Sequence, residues 1–125
     1  MQIGFFQADA ITGPYTFVRT QMSKGVPTRG TGLFLDDDAS QTPYIIFANG
    51  PTFKSSSLVV ANLTDDYTSI DTEIVTLDGY MTTLHSSATM MKIDKTYYII
   101  TADLSLSLRP MQAVEFYSQT LSSDA

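Results

Sequence analysis

The sequence predicts an all-β chain built as part of a β-propeller, and three observations carry that reading. Short runs rich in β-branched and aromatic residues alternate with clusters of Gly, Pro, Asp and Ser, which is the chemistry of strands and turns. No segment keeps an apolar pattern at helical spacing. Two segments of different type recur at nearly one interval. Tyr44-Ile45-Ile46-Phe47-Ala48 returns 54 residues on as Tyr98-Ile99-Ile100-Thr101-Ala102, and Thr12-Gly13-Pro14-Tyr15-Thr16 is echoed at an offset of 52 by Thr64-Asp65-Asp66-Tyr67-Thr68. A four-stranded unit repeating at such a period is how a propeller blade looks in sequence.

Taken in order, residues 3–8 form a short apolar run, and Ile11 to Val18 follows with Gly13-Pro14 as a turn, so the two read as an outer hairpin. Arg19 to Gly32 is polar and rich in turn formers and reads as an irregular loop. Leu33-Phe34-Leu35 reads as a strand, Asp36-Asp37-Asp38-Ala39-Ser40 as a turn, and Tyr44 to Ala48 as a strand apolar on both faces and therefore central. Asn49 to Ser56 reads as a second loop, Ser57 to Ala61 as a strand, and Leu63 to Thr68 as the end of the unit. The pattern restarts with Val75 to Leu77, Thr89 to Lys92, Tyr97 to Ala102 and Met111 to Tyr117, with Ile93-Asp94-Lys95-Thr96 as a tight turn. The expected repeats are roughly 1–18, 32–70 and 75–125, a single partial domain. A propeller closes with about four blades or more, so the chain reads as a fragment, the alternative being self-association through open sheet edges.

Composition narrows the partners. A formal charge of −6, a pI near 4.3 and only seven basic residues argue against nucleic acid or an anionic membrane, which need clustered Lys and Arg. The chain has no cysteine, hence no disulfide framework, thiolate nucleophile or thiolate metal site. No apolar run approaches the ~20 residues of a membrane-spanning helix, and the opening MQIGFFQAD lacks the pattern of a signal peptide, so the chain reads as soluble with its compartment open.

Five segments in order carry a resemblance. They are Ile11-Thr12-Gly13-Pro14-Tyr15-Thr16-Phe17-Val18; Gly32-Leu33-Phe34-Leu35-Asp36-Asp37-Asp38 leading to Tyr44-Ile45-Ile46; Leu63-Thr64-Asp65-Asp66-Tyr67; Met90-Met91-Lys92 leading to Tyr97-Tyr98-Ile99-Ile100-Thr101; and Arg109-Pro110. On these the chain resembles the middle of a catalytic module of glycoside hydrolase family 43, most like its fungal galactan 1,3-β-galactosidases. The resemblance implies a five-bladed propeller, an inverting O-glycosyl hydrolase with carboxylates aimed into a central pocket, a galactan-like carbohydrate partner, no cofactor and no metal. It also implies an extracellular protein.

The same resemblance places two catalytic elements in this chain, and neither is intact. The position of the aspartate that tunes the acid is Gly30, within Thr28-Arg29-Gly30. The position of the general acid is Ser86, within Ser86-Ser87-Ala88-Thr89-Met90-Met91-Lys92. A serine hydroxyl titrates far above neutrality and does not protonate a glycosidic oxygen as a carboxylic acid with a raised pKa does. The stretch that lines the sugar subsite corresponds to Ser105-Leu106-Ser107-Leu108-Arg109-Pro110-Met111, with one residue inserted and no tryptophan. Arg29 and Ser105 are the candidate substrate contacts, Arg29 through its fork of donors.

Other candidates read as structural. The aspartates 36–38 offer oxygen ligands for a hard cation, but their place between two strands makes a solvated turn the better reading, and Asp65-Asp66 reads the same way. His85 neighbours the acid position, yet strand alternation turns it from Ser86. Glu115 falls on an outer or edge strand, and Glu73 in a polar connection. Asn62-Leu63-Thr64 is an N-glycosylation sequon, meaningful in a secreted chain. The expected function is a truncated family-43-like module, inactive alone. The alternative is a non-catalytic glycan-binding or interaction protein on the same scaffold.

Overall fold

The fold is seen in a computed structural model, which describes residues 2–52, 55–77, 85–103 and 114–119. These residues form strands and turns only, arranged as three antiparallel sheets. The first pairs β1 (Ile3–Gln7) with β2 (Thr16–Gln21). The second runs in order through β3 (Thr28–Leu35), β4 (Pro43–Thr52), β5 (Ser55–Leu63) and β6 (Ile70–Leu77). The third holds β7 (His85–Ile93), β8 (Thr96–Asp103) and β9 (Val114–Gln119). Each sheet is a meander of sequential neighbours, the blade arrangement of a propeller, as the recurring segments imply.

The middle sheet is buried on both faces because alternate residues of its strands point opposite ways. One face sends Ile45, Phe47, Val59, Ala61, Leu63 and Ile70 against Ile3 and Phe5 of the first sheet. The other sends Ile46, Leu58, Val60 and Leu77 against Ala88, Met90 and Ile99 of the third. Residues 45–48 of β4 are fully buried, which explains the two-sided apolarity of that run. The turn Asp94-Lys95 joins β7 to β8 in two residues, with Asp94 in the left-handed region at φ 55°.

The inner strands touch directly. Gly32 of β3 lies against the backbone of Ala88 and Thr89 on β7, and a Cβ at Gly32 would collide with the Ala88 carbonyl oxygen. Each inner strand carries a bulge beside that contact. β3 takes three steps from Arg29 to Gly32 where β4 takes two, and β7 takes three from Ser86 to Thr89 where β8 takes two.

Several expected boundaries move. Arg19 to Gln21 belong to β2 and Thr28 to Gly32 to β3, so the expected loop 19–32 shrinks to 22–27. Asn49 to Thr52 continue β4 and Ser55-Ser56 begin β5, so the second expected loop is a hairpin. Leu63 ends β5 and residues 64–69 link it to β6, and Val75 to Leu77 complete the middle sheet rather than opening the next. The described strands of the three sheets are β1–β2, β3–β6 and β7–β9.

Polar side chains fasten the sheets to one another. Gln21 presents its amide to the backbone of Ile70, accepting from N–H at 2.8 Å and donating to C=O at 3.2 Å. Glu73 accepts from Ser23 and pairs with Lys24 at 2.5 Å, so it ties the loop between β2 and β3 to β6 and does not lie in a polar connection. Between the second and third sheets, Lys92 reaches Asp36 at 2.9 Å and Asp37 at 2.5 Å, while the Tyr97 hydroxyl donates to Asp36 at 2.5 Å.

Candidate functional site

The bulged ends of the inner strands gather the residues that the sequence singled out. Gly30 sits inside the β3 bulge at φ 61°, in the left-handed region where a Cβ costs energy. Arg29 precedes it, pairs across the ladder with Ala48, and donates from Nη2 to the Gly50 carbonyl at 3.4 Å. Ser86 opens the β7 bulge and pairs with Ala102. Gly30 and Ser86 each lie two residues before the Gly32–Ala88 contact, so β3 and β7 bring both positions to neighbouring bulges.

A cleft of about 300 Å³ opens beside the β3 bulge, lined by Gln2, Ile3 and Gly4 from β1 and its approach and by Thr28, Arg29, Gly30 and Thr31 from β3. Among the described residues, none that lines it carries a carboxylate. Thr28, only 1% exposed, keeps its hydroxyl without a protein partner, and so does the side-chain oxygen of Asn49 directly across the ladder. Buried polar atoms of this kind normally find a partner in protein, water or ligand. Both oxygens are enclosed, so the cleft itself offers the Arg29 guanidinium and the side chains of Gln2 and Thr31. They do not supply acid–base chemistry.

The remaining candidates separate by location. Ser105 and Arg109-Pro110 lie outside the described residues. His85 is placed on β7 opposite Asp103 and Glu115 on β9 opposite Thr101, their side chains lying outside the description. The aspartate triplet divides. Asp38 accepts from the Thr42 backbone and hydroxyl, both at 3.0 Å, Asp37 is exposed, and Asp36 is 4% exposed beneath Lys92 and Tyr97. The solvated-turn reading is therefore corrected at Asp36, whose partners stand 56 and 61 residues away. Burial alone would raise its pKa, but hydrogen bonds from Tyr97 and Lys92 outweigh that and hold the carboxyl below its ordinary value. The same bond raises the Tyr97 phenol, and the two aspartates raise Lys92. Asp66 is exposed in the β5–β6 turn and held down to about 2 by bonds from Thr64 and Thr68. Among the described residues no three metal-ligating side chains come together.

No family model matches the chain, and no curated protein matches it in sequence. Solved structures do. The exo-β-1,3-galactanase of Phanerochaete chrysosporium, in a structure holding galactose, superposes with a TM-score of 0.80 at 21% identity, over 95% of this chain and 26% of that one. A putative exo-β-1,3-galactanase of Bifidobacterium bifidum gives 0.77 at 26% identity, over 95% of this chain and 37% of that one. A family 43 β-1,3-galactosidase gives 0.66 at 16% identity, over 93% of this chain and 25% of that one. The chain thus has the fold of part of a family 43 galactanase module, and spans about a quarter to a third of these proteins' length.

Proposed function

We propose that this chain is a galactanase-like module that has kept the scaffold and a carbohydrate-facing cleft and has lost the hydrolytic groups, so that alone it does not cleave glycosides. The observation that carries the reading is the chemistry at the two bulges. An inverting glycosidase needs a carboxylic acid, with the aspartate that tunes it, to protonate the leaving oxygen. Gly30 supplies no side chain, and Ser86 supplies a hydroxyl that stays protonated across the working pH range of such an acid.

The second reading, glycan binding without turnover, draws support from the cleft itself. Arg29 lines it, and its guanidinium is a donor group that suits sugar oxygens. The fungal relative's structures with β-1,3-galactotriose supply the ligand to try. The test is calorimetric titration of that trisaccharide into the chain and into Arg29→Met, which deletes the guanidinium. Binding by the parent, weakened several-fold in Arg29→Met with folding undiminished, is expected. Absence of binding by the parent, or equal binding by both, overturns the glycan-binding reading.

A further inference from the structure

The middle sheet carries a second cleft, at the end away from its bulge with Arg29 and Gly30. It has a volume of about 360 Å³, lies between the β3–β4 and β5–β6 turns, and is lined by Ser40, Thr42, Asn62, Thr64, Asp65 and Asp71 among others. Asn62 pairs with Tyr44 across the ladder, whereas Arg29 stands at the level of Ala48 and Leu58. From Leu58 to Asn62 the rise along β5 is roughly 13 Å, so the two clefts open at opposite ends of the sheet.

Asn62 is the acceptor of the sequon Asn62-Leu63-Thr64, with leucine and not proline at the middle position. Its side chain is half-buried on the wall of this cleft, and its Oδ1 has no hydrogen-bond partner among the described residues. That atom holds nothing of the fold together. The hydroxyls and carboxylates around it are groups that meet the hydroxyls of a sugar. The third residue of the sequon is placed differently. Thr64 Oγ1 donates to Asp66 at 2.7 Å, and the Thr64 backbone N–H donates to the Ser69 carbonyl at 2.9 Å, which closes the β5–β6 turn. The sequon backbone is also laddered on both sides, Asn62 to Tyr44 and Leu63 to Ile70. A transferase takes a sequon as an open segment and reads its hydroxyl, so the folded sheet withholds both.

We propose that Asn62 is a site of N-linked glycosylation, that the oligosaccharide is attached before the β5–β6 turn closes, and that its first sugar then seats in the cleft between the two turns. The donor is an oligosaccharide on a lipid diphosphate carrier. Asn62 Nδ2 bonds to C1 of the first sugar, the bond from C1 to the diphosphate oxygen breaks, the diphosphate leaves with its carrier, and the amide proton passes to a base of the transferase. The attached sugar stands at the far end of the sheet from Arg29 and Gly30 and leaves their cleft open.

The test directs the full chain into the secretory route of a eukaryotic cell. Occupancy of residue 62 is measured by mass spectrometry on all of the chain made, secreted or retained, in the parent and in Asn62→Gln, Thr64→Ala and Thr64→Ser. Sugar is expected on the parent and on Thr64→Ser, which keeps the hydroxyl, and on neither of the other two. Purified oligosaccharyltransferase with a lipid-linked donor should modify the peptide 58–68 at least about tenfold faster than the folded bare chain, because paired strands open rarely. The glycosylated parent should melt no lower than the bare parent made in bacteria. No sugar on the parent, sugar at this site dependent on neither Asn62 nor Thr64, a folded chain modified as fast as the peptide, or a lower melting temperature with the sugar in place each overturns the proposal.

Discussion

Replacing Gly32 by alanine tests the junction between the two inner strands. Gly32 has no left-handed φ, so the substitution carries no backbone strain, and the smaller freedom of alanine in the unfolded chain would by itself stabilise by about 0.4–1 kcal/mol. The added methyl, however, meets the backbone carbonyl of Ala88 and, at 3.3 Å, the Cα of Thr89, and neither is a flexible side chain that can swing away. β3 and β7 must part, which loosens the cluster of Ile46, Val60, Met90 and Ile99 around the contact. Overpacking of this kind costs typically about 1–3 kcal/mol, and a backbone obstacle puts this case at the upper end. The net loss is then about 2 kcal/mol, a fall in melting temperature of roughly 5–10 °C for a domain of this size. Gly25→Ala is the control, since nothing lies within 4 Å of its Cβ position and its cost of about 1–2 kcal/mol comes from φ 73° alone. Thermal melting by circular dichroism reads both, with the Ala88 amide followed by hydrogen exchange. A Gly32→Ala chain as stable as the parent, with unchanged exchange at Ala88, would refute the tight inter-sheet contact.

Asp36→Ala should destabilise by about 2–3 kcal/mol in urea titration, because it strips a buried carboxylate from Lys92 and Tyr97. Asp37→Ala, at a side chain 80% exposed, should cost less than about 1 kcal/mol. Equal costs would contradict the division of the triplet. The folded pKa values of Asp36 and Glu73 lie below the ordinary 3.8 and 4.5, so their contribution is full above those values and fades as pH falls through the lowered ones. Melting temperature should drop below about pH 4, less steeply in Asp36→Asn. Tyr97 titrates above its ordinary 10.0, so its contribution is present below that pH and is lost as pH rises through the raised value, which spectrophotometric titration of the phenols should register.

Local pattern revealed what local chemistry decides. The two-sided apolarity of Tyr44 to Ala48 marks a strand covered on both faces, and Ile93 to Thr96 contains a two-residue turn that the ladder reproduces. Glycine misled. Gly30 and Gly32 read as loop formers, yet one shapes a bulge and the other admits a neighbouring strand, and both stand inside β3. Asn49 and Gly50 likewise read as the start of a loop and continue β4. The aspartate triplet read as solvated because nothing in its neighbourhood shows that Lys92 and Tyr97 will close over Asp36 from the next sheet. The correspondence of Gly30 with an acid-tuning aspartate and of Ser86 with a general acid came from family resemblance. The register then set both positions at equivalent bulges, a relation visible only after pairing. The orphan oxygens of Thr28 and Asn49 had no signal in the sequence, since their significance lies in burial.

The central claim is that the scaffold of a galactanase is present here without its hydrolytic chemistry. Its most direct test is incubation of the purified chain with β-1,3-galactotriose, followed by chromatographic measurement of released galactose against a heat-denatured blank. No release above the blank from pH 4 to pH 8 is predicted, because neither bulge position carries a group that can give a proton to the leaving oxygen. Galactose release in proportion to chain concentration, at the rate of an intact relative, would contradict it.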